Sequence, residues 1–219
     1  MKYSKISNQV RLKKLKHPEK KVRMVLDTDT YNEVDDQFAL AYALKSPEAM
    51  QVEAIYAAPF HNNRSSGPED GMEKSYGHAH YWPDTKEFNL FQDIHASRLI
   101  FDCGVPLVQI PCMGVSSHLT TTVPELEYYL KGKSKIGTYL TDMVSNETKN
   151  FYAGSRIIWD ISTIAWLINP KWVPSSVVHS PILNDGYTWS YDNSRHFIRC
   201  ATYANRDKIF ADLFRKFSL

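Results

Sequence analysis

Apolar residues fall in short runs divided by polar, acidic or glycine-rich stretches, and their periodicity changes from one run to the next. VRMVLD, from Val22 to Asp27, is a brief apolar run that ends in carboxylates and predicts a strand. FALAYAL, from Phe38 to Leu44, is rich in Ala and Leu and predicts a helix, so the order is strand, polar loop, helix. VEAIYAA, from Val52 to Ala58, predicts a second strand, closed by Pro59 and the loop HNNRSSGPEDG. Ala96 to Phe101 reads as helical, and VPLVQIP, from Val105 to Pro111, as a third strand entered through Gly104. IIWDISTIAWLI, residues 157–168, is apolar on nearly every side, which predicts a buried helix stopped by the Asn169-Pro170 pair. The tail HFIRCATYANRDKIFADLFRKF predicts a strand followed by an amphipathic helix.

Strands alternating with helices predict an α/β fold with a mostly parallel central sheet flanked by helices. In such sheets ligands sit beyond the carboxyl ends of the strands, where the first strand runs into its acidic loop. With 219 residues, 43% of them hydrophobic, the chain can bury a sizeable core, and one α/β domain over residues 22–219 is the simplest organisation. Residues 1–21 form a basic N-terminal extension, read as a solvated arm or short surface helix. There is no repeat at solenoid spacing and no low-complexity segment.

Twenty-six basic against 24 acidic residues leave a formal charge of +2, so no global field points to nucleic acid or a membrane surface, and a small-molecule partner is expected. No run approaches the roughly 18 apolar residues of a membrane span, and the first residues lack the apolar middle of a secretory signal, which predicts a cytoplasmic protein. Cys103, Cys112 and Cys200 are an odd number without close spacing, which suits buried, reduced thiols rather than a disulfide framework or a cysteine zinc site.

Asp27, Asp29, Glu33, Asp35 and Asp36 place five carboxylates within ten residues. Like charges this close repel unless a cation sits among them or some stay protonated, and a hard ion such as calcium or magnesium takes oxygen donors of this kind. A plain alternative is a solvated acidic turn in which Asp35 caps the next helix.

MVLDTDT resembles the first motif of haloacid-dehalogenase-like phosphatases, in which Asp27 would be the nucleophile, but that family's later Ser or Thr, Lys and second acidic pair find no counterpart here. A broader resemblance is to the calcium-dependent nucleoside hydrolases. DTDTYNEVDDQFAL resembles that family's DTDPGxDDxxAL loop, with two extra residues and without the Pro-Gly. EFNLFQDIHASRLIFDCGVPLVQIP resembles the segment whose Glu and Asn, here Glu87 and Asn89, hold the sugar, and WDISTIAWLINPKWV resembles the stretch whose aspartate, here Asp160, closes the metal site. The three motifs stand in family order, and the resemblance spans most of Lys21 to Phe217.

The resemblance implies a Ca2+ ion bound by Asp29, Asp36 and Asp160, with Asp27 and Asp35 in support, and hydrolysis of a ribonucleoside to free base and ribose in purine or pyrimidine salvage. Asp29 would be the general base toward a metal-activated water, and the transition state would be oxocarbenium-like. Asn62, in PFHNN, resembles a sugar-contacting asparagine, although a turn asparagine fits equally well. Homo-oligomers, dimers or tetramers, are common in the family.

Two features depart from the family pattern. Trp159 stands where a His often precedes the last metal aspartate; indole cannot donate that proton, but it can stack on a base or fill the core. His78, His80 and His118 are then candidate proton donors. The link from Tyr76 to Glu87 is also short, as though roughly 60 residues of strand-helix-strand structure were absent around Gly77, which implies missing central strands. Alongside catalysis stands a non-catalytic relative that keeps the ion and sugar pocket for binding.

Overall fold

The computed structural model describes residues 6–30, 33–57, 88–150 and 152–219, with the backbone alone at Phe88 and Phe91. Along the chain these form α1 (Asn8–Lys14), β1 (Val22–Thr28), α2 (Val34–Leu44), β2 (Met50–Ala57), α3 (Phe88–Gln92), α4 (Ile94–Asp102), β3 (Val108–Gln109) and a 3-10 turn (Ser116–His118). They continue with β4 (Thr120–Thr122), α5 (Val123–Tyr129), α6 (Lys135–Thr148), β5 (Ser155–Ile157), α7 (Ile161–Ile168), β6 (Ser175–His179), β7 (Ile182–Leu183), β8 (Trp189–Ser190), β9 (Phe197–Ala201) and α8 (Arg206–Phe217). The α/β class is as predicted, and β1 with β2 and β3 with β9 pair in parallel. Among the described residues these parallel pairs belong to separate sheets, β1-β2 and β3-β9-β6, beside two small antiparallel pairs.

The chain divides into two compact units, each assembled from three stretches. One comprises residues 1–17, 71–115 and 174–202. Its sheet places β6 antiparallel to β9, Val177 opposite Arg199. Inside it the basic arm is ordered as α1, with the Arg11 guanidinium donating to the carbonyl of Gly104 and Leu15 fully buried. Gly104 has φ +76°, a left-handed conformation that a glycine takes at little cost, and a side chain there would press on Arg11. Arg195, shortly before β9, ties the end of β6 to the end of α4, donating to the Ser180 carbonyl at 2.9 Å, to the Phe101 carbonyl at 2.9 Å and to Asp102 at 2.6 Å.

The other unit comprises residues 18–70, 116–173 and 203–219, and it carries the first strand and the acids. β1 and β2 pair from Val22 opposite Met50 to Thr28 opposite Ala57, with a one-residue shift of register after Met24 that passes over Glu53, and they are joined through α2. Val34, Phe38, Ala39, Ala41, Tyr42 and Ala43 of α2 are buried, and Phe38 stacks on Phe217 of α8 at 6.0 Å between ring centroids. At the head of α6, Gly137 lies so close to Leu130 that a Cβ would sit 2.9 Å from its carbonyl oxygen, so no larger residue fits without movement.

Three expectations change. The helix expected from Phe38 begins at Val34, which moves Asp35 and Asp36 out of a loop and into the first turn of α2. The expected helix over 157–168 is shorter, because Ser155, Arg156 and Ile157 pair with β4 first and α7 starts only at Ile161. The expected strand from Val105 to Pro111 contracts to Val108 and Gln109, since Pro106 and Pro111 bring no N–H to a ladder. Cys103, Cys112 and Cys200 are free thiols, half-buried rather than buried, and burial pushes the Cys200 thiol up.

Candidate functional site

β1 delivers the first acids. Asp27 is exposed near its end, Thr28 is buried as its last residue, and Asp29 follows it half-buried. α2 then starts with Glu33 at its N-cap and with Asp35 and Asp36 in its first turn, both almost wholly buried. Carboxylates in that place face the positive end of the helix dipole, which offsets part of the cost of burying them. Neither Glu33 nor Asp160, the N-cap of α7, makes the side-chain bond to its own helix that such a position normally supplies. Both carboxylates face the acidic cluster.

The Thr28 hydroxyl donates to Asp36 at 2.5 Å and accepts from Thr30 at 3.1 Å. Asp36 is hydrogen-bonded to Asp29 and to Asp160. A bond between two carboxyls requires a proton on one of them. Burial first, then the Asp160 charge, raises the Asp36 carboxyl to about 8, against the pull of Thr28. Asp160 rises to about 6, from burial and then Asp29, with the bond from Asp36 and the charge of Arg156 opposing. Burial, followed by Asp160 and Glu33, holds Asp35 well above the usual carboxylate range. Arg156 of β5 answers part of this charge, with Nη2 2.6 Å from Glu33 and 3.4 Å from Asp35, and Nε 3.5 Å from Glu147 of α6.

The carboxylates expected to meet, Asp29, Asp36 and Asp160, therefore do meet, although Asp160 lies more than a hundred residues along the chain. Among the described residues no three His, Cys, Asp or Glu side chains stand ready-made around a metal-sized gap, and Asp36 lies against both Asp29 and Asp160 instead. Their chemistry fits a hard divalent cation: oxygen donors drawn close together, two of which, Asp36 and Asp160, hold protons that a stronger charge can replace. Asn89 is exposed on α3, in the other unit. Trp159 is half-buried immediately before Asp160, and His118 packs its ring against Tyr203 at 5.1 Å. Asn62, Glu87, His78, His80 and the short link at Gly77 lie outside the described residues.

Sequence reasoning missed Thr28, Arg156 and Glu147. Thr28 had a signal, since it stands between Asp27 and Asp29 on a strand whose alternation turns it inward. Arg156 had a fainter one, as a lone cation four residues before Asp160 in an apolar run.

No family model matches the chain. A relative from Shigella boydii serotype 4 (strain Sb227) is 25% identical over 120 residues, covering 52% of this chain and 49% of its own. The pyrimidine-specific ribonucleoside hydrolase RihB of Escherichia coli O1:K1 / APEC is 24% identical over 120 residues, 52% of this chain and 38% of that protein. The chain thus spans about half, or less, of the curated relatives it matches. Among solved structures, the plant nucleoside hydrolase PpNRh1 superposes with a TM-score of 0.66 at 15% identity, over 92% of this chain and 99% of that one. The purine-preferring ribonucleoside hydrolase of Gardnerella vaginalis gives 0.65 at 15% identity, over 90% and 98%. The fold is the one these structures share.

Proposed function

We propose that this chain, which belongs with the nucleoside hydrolases in fold and in sequence, cleaves the N-glycosidic bond of a ribonucleoside to free base and ribose at the centre formed by Asp29, Asp36 and Asp160. The observation that carries the reading is the meeting of Asp160, from the head of α7, with the two aspartates that follow β1. Asp29, Asp36 and Asp160 would hold calcium, which when bound supplies a water of lowered pKa and a grip on the sugar hydroxyls.

Asp29 accepts the proton of the attacking water, and Asp27 and Asp35 support the ligands from beside them. As the glycosidic bond lengthens the sugar becomes oxocarbenium-like, and carboxylates on that side stabilise the developing positive charge. Glu87, Asn89 and Asn62 would hold the sugar, and Trp159 would stack on the base. The reduced thiols suit the cytoplasm, where such an enzyme would recover purine or pyrimidine bases, alone or as a homo-oligomer.

The test is release of free base and ribose from uridine and inosine, with calcium and with chelator. Asp29→Asn is expected to lower turnover by two or more orders of magnitude while the fold survives. Normal hydrolysis by that variant would remove Asp29 from the role of base. A second reading, ion and sugar binding without turnover, is favoured by Trp159, which leaves the departing base without the usual donor. Calcium binding with no base release from any nucleoside would select it. The fold and the relatives are not those of phosphatases, so that reading is not carried further.

A further inference from the structure

Arg156 divides the acidic centre in two. Its guanidinium is 15% exposed and gathers Glu33 at 2.6 Å, Asp35 at 3.4 Å and Glu147 at 3.5 Å, whose side chains are 20%, 5% and 11% exposed. These three come from the N-cap of α2, its first turn and the last part of α6, while Arg156 is fixed on β5 opposite Thr121. The remaining acids, Asp29, Asp36 and Asp160, lie against one another, close enough for each to act on its neighbours. Guanidinium is always charged and presents several donors in a rigid fork, so one side chain can gather carboxylates arriving from separate elements, here Glu33 and Asp35 by hydrogen bonds and Glu147 by its charge. Three carboxylates gathered around one positive group are also what a hard cation would hold, calcium drawing such oxygens closer, to about 2.3–2.6 Å.

We propose that Arg156 is a built-in counter-cation: it takes, among Glu33, Asp35 and Glu147, the place of a second divalent ion, and so reserves Asp29, Asp36 and Asp160 for the first. It is a positioning residue. It ties the head of α2 to the strand that leads, four residues on, into Asp160, so the two stretches that carry the ion-binding aspartates are braced with no ion present. The inference rests on the proposed function only in taking Asp29, Asp36 and Asp160 as the ligands of a single ion.

The test compares the full chain with Arg156→Met and Arg156→Lys, counting bound calcium by calorimetry and following thermal unfolding in chelator and in calcium. In chelator the Met variant is expected to unfold on the order of 10 °C below wild type, because three partly buried carboxylates lose their partner. It is expected to bind one calcium ion more than wild type and to recover most of that loss when calcium is added. The Lys variant keeps a charge without the fork; it is expected to bind no extra ion and to unfold between the other two. Equal ion counts in the Met variant and wild type would overturn the proposal, as would an extra ion in the Lys variant. A Met variant that folds only with calcium supports it; if that variant folds under neither condition, Arg156→Gln, neutral but still polar, takes its place in the same count, one extra ion supporting the proposal and none overturning it. The wild-type count, one ion or none, separately tests the calcium reading.

Discussion

At the scale of single residues, the carboxyl pair Asp36 and Asp160 sets how stability responds to pH. Unfolded, both aspartates titrate near about 3.9. Folded, Asp36 keeps its proton to about pH 8 and Asp160 to about pH 6. A folded pKa above the unfolded one gives stability that is complete below the unfolded value and drains away as pH rises through the folded value. Without a divalent ion, urea-unfolding free energy should therefore fall between about pH 4 and 8, most steeply in the lower half of that window, where the folded chain holds both protons and the unfolded chain neither. Saturating calcium should flatten or reverse the trend, because the ion takes over from the protons. Asp36→Asn, which cannot ionise, should lose the part of the decline that lies between about pH 6 and 8, and the gain from calcium with it, while the part due to Asp160 remains. Parallel pH curves with and without calcium would mean that the ion does not bind where these protons sit. The residue types of this site were legible in the sequence, because aspartates spaced as in DTDTYNEVDD are costly without a counter-charge. Their partners were less so: whether a cation, a proton or a hydroxyl answers each one depends on which distant side chains fold against it.

At the scale of elements, α2 is held at both ends by polar contacts, the acids at its head and a clamp to α8 near its tail. The Tyr42 hydroxyl donates to Asp212 at 2.8 Å, and Lys216 lies 3.0 Å from the same carboxylate, 2.8 Å from Ser46 and 2.6 Å from Glu48. Burial alone would raise Asp212, but the bonds from Tyr42, Lys216 and Arg215 outweigh it and hold its carboxyl below the usual range. Stability from this clamp is thus present above the ordinary carboxylate pKa and lost as pH falls through the depressed one. Tyr42→Phe should cost about 1.5–3 kcal/mol at neutral pH, the usual worth of a hydrogen bond to a charged group. It should also soften the acid-induced loss below about pH 4, since the folded pKa moves back toward its unfolded value; chemical unfolding at pH 7 and pH 3 reads both effects. Unchanged stability at pH 7 would show that Lys216 and Arg215 hold Asp212 unaided. Helices and strands with strong periodicity, such as β1, β2, α4 and α8, could be read ahead of the structure. The head of α2 could not, because Val34, Asp35 and Asp36 resemble loop chemistry until the fold gives those acids an inward role. β5 was hidden likewise, since Arg156 and Ile157 join an apolar run of helical appearance and only pairing with Thr120 and Thr121 makes them a strand.

At the scale of the molecule, the unit that binds the aspartates together is assembled from three distant stretches, so its integrity depends on long-range closure more than on any local propensity. Family order of motifs was what made that closure legible: DTDTYNEVDD and WDISTIAW announce a shared centre although neither alone specifies one. The division into two units had no such signal, because each unit re-enters the chain with runs no different in composition from those of the other. This division leads to a prediction about where an ion is felt. Calcium at Asp29, Asp36 and Asp160 stabilises only those openings that separate β1, α2 and α7, whose heads supply the ligands. Amide hydrogen exchange should therefore slow on calcium addition in the first turns of α2 and α7 and at the end of β1, by at least tenfold at an ion concentration well above the dissociation constant. Amides of α4, β6 and β9, which belong to the other unit, should exchange at rates within about twofold of their ion-free values. Protection spread evenly over both units would instead mean that the two unfold as one cooperative body, and the ion would then report global stability rather than the local closure of its own site.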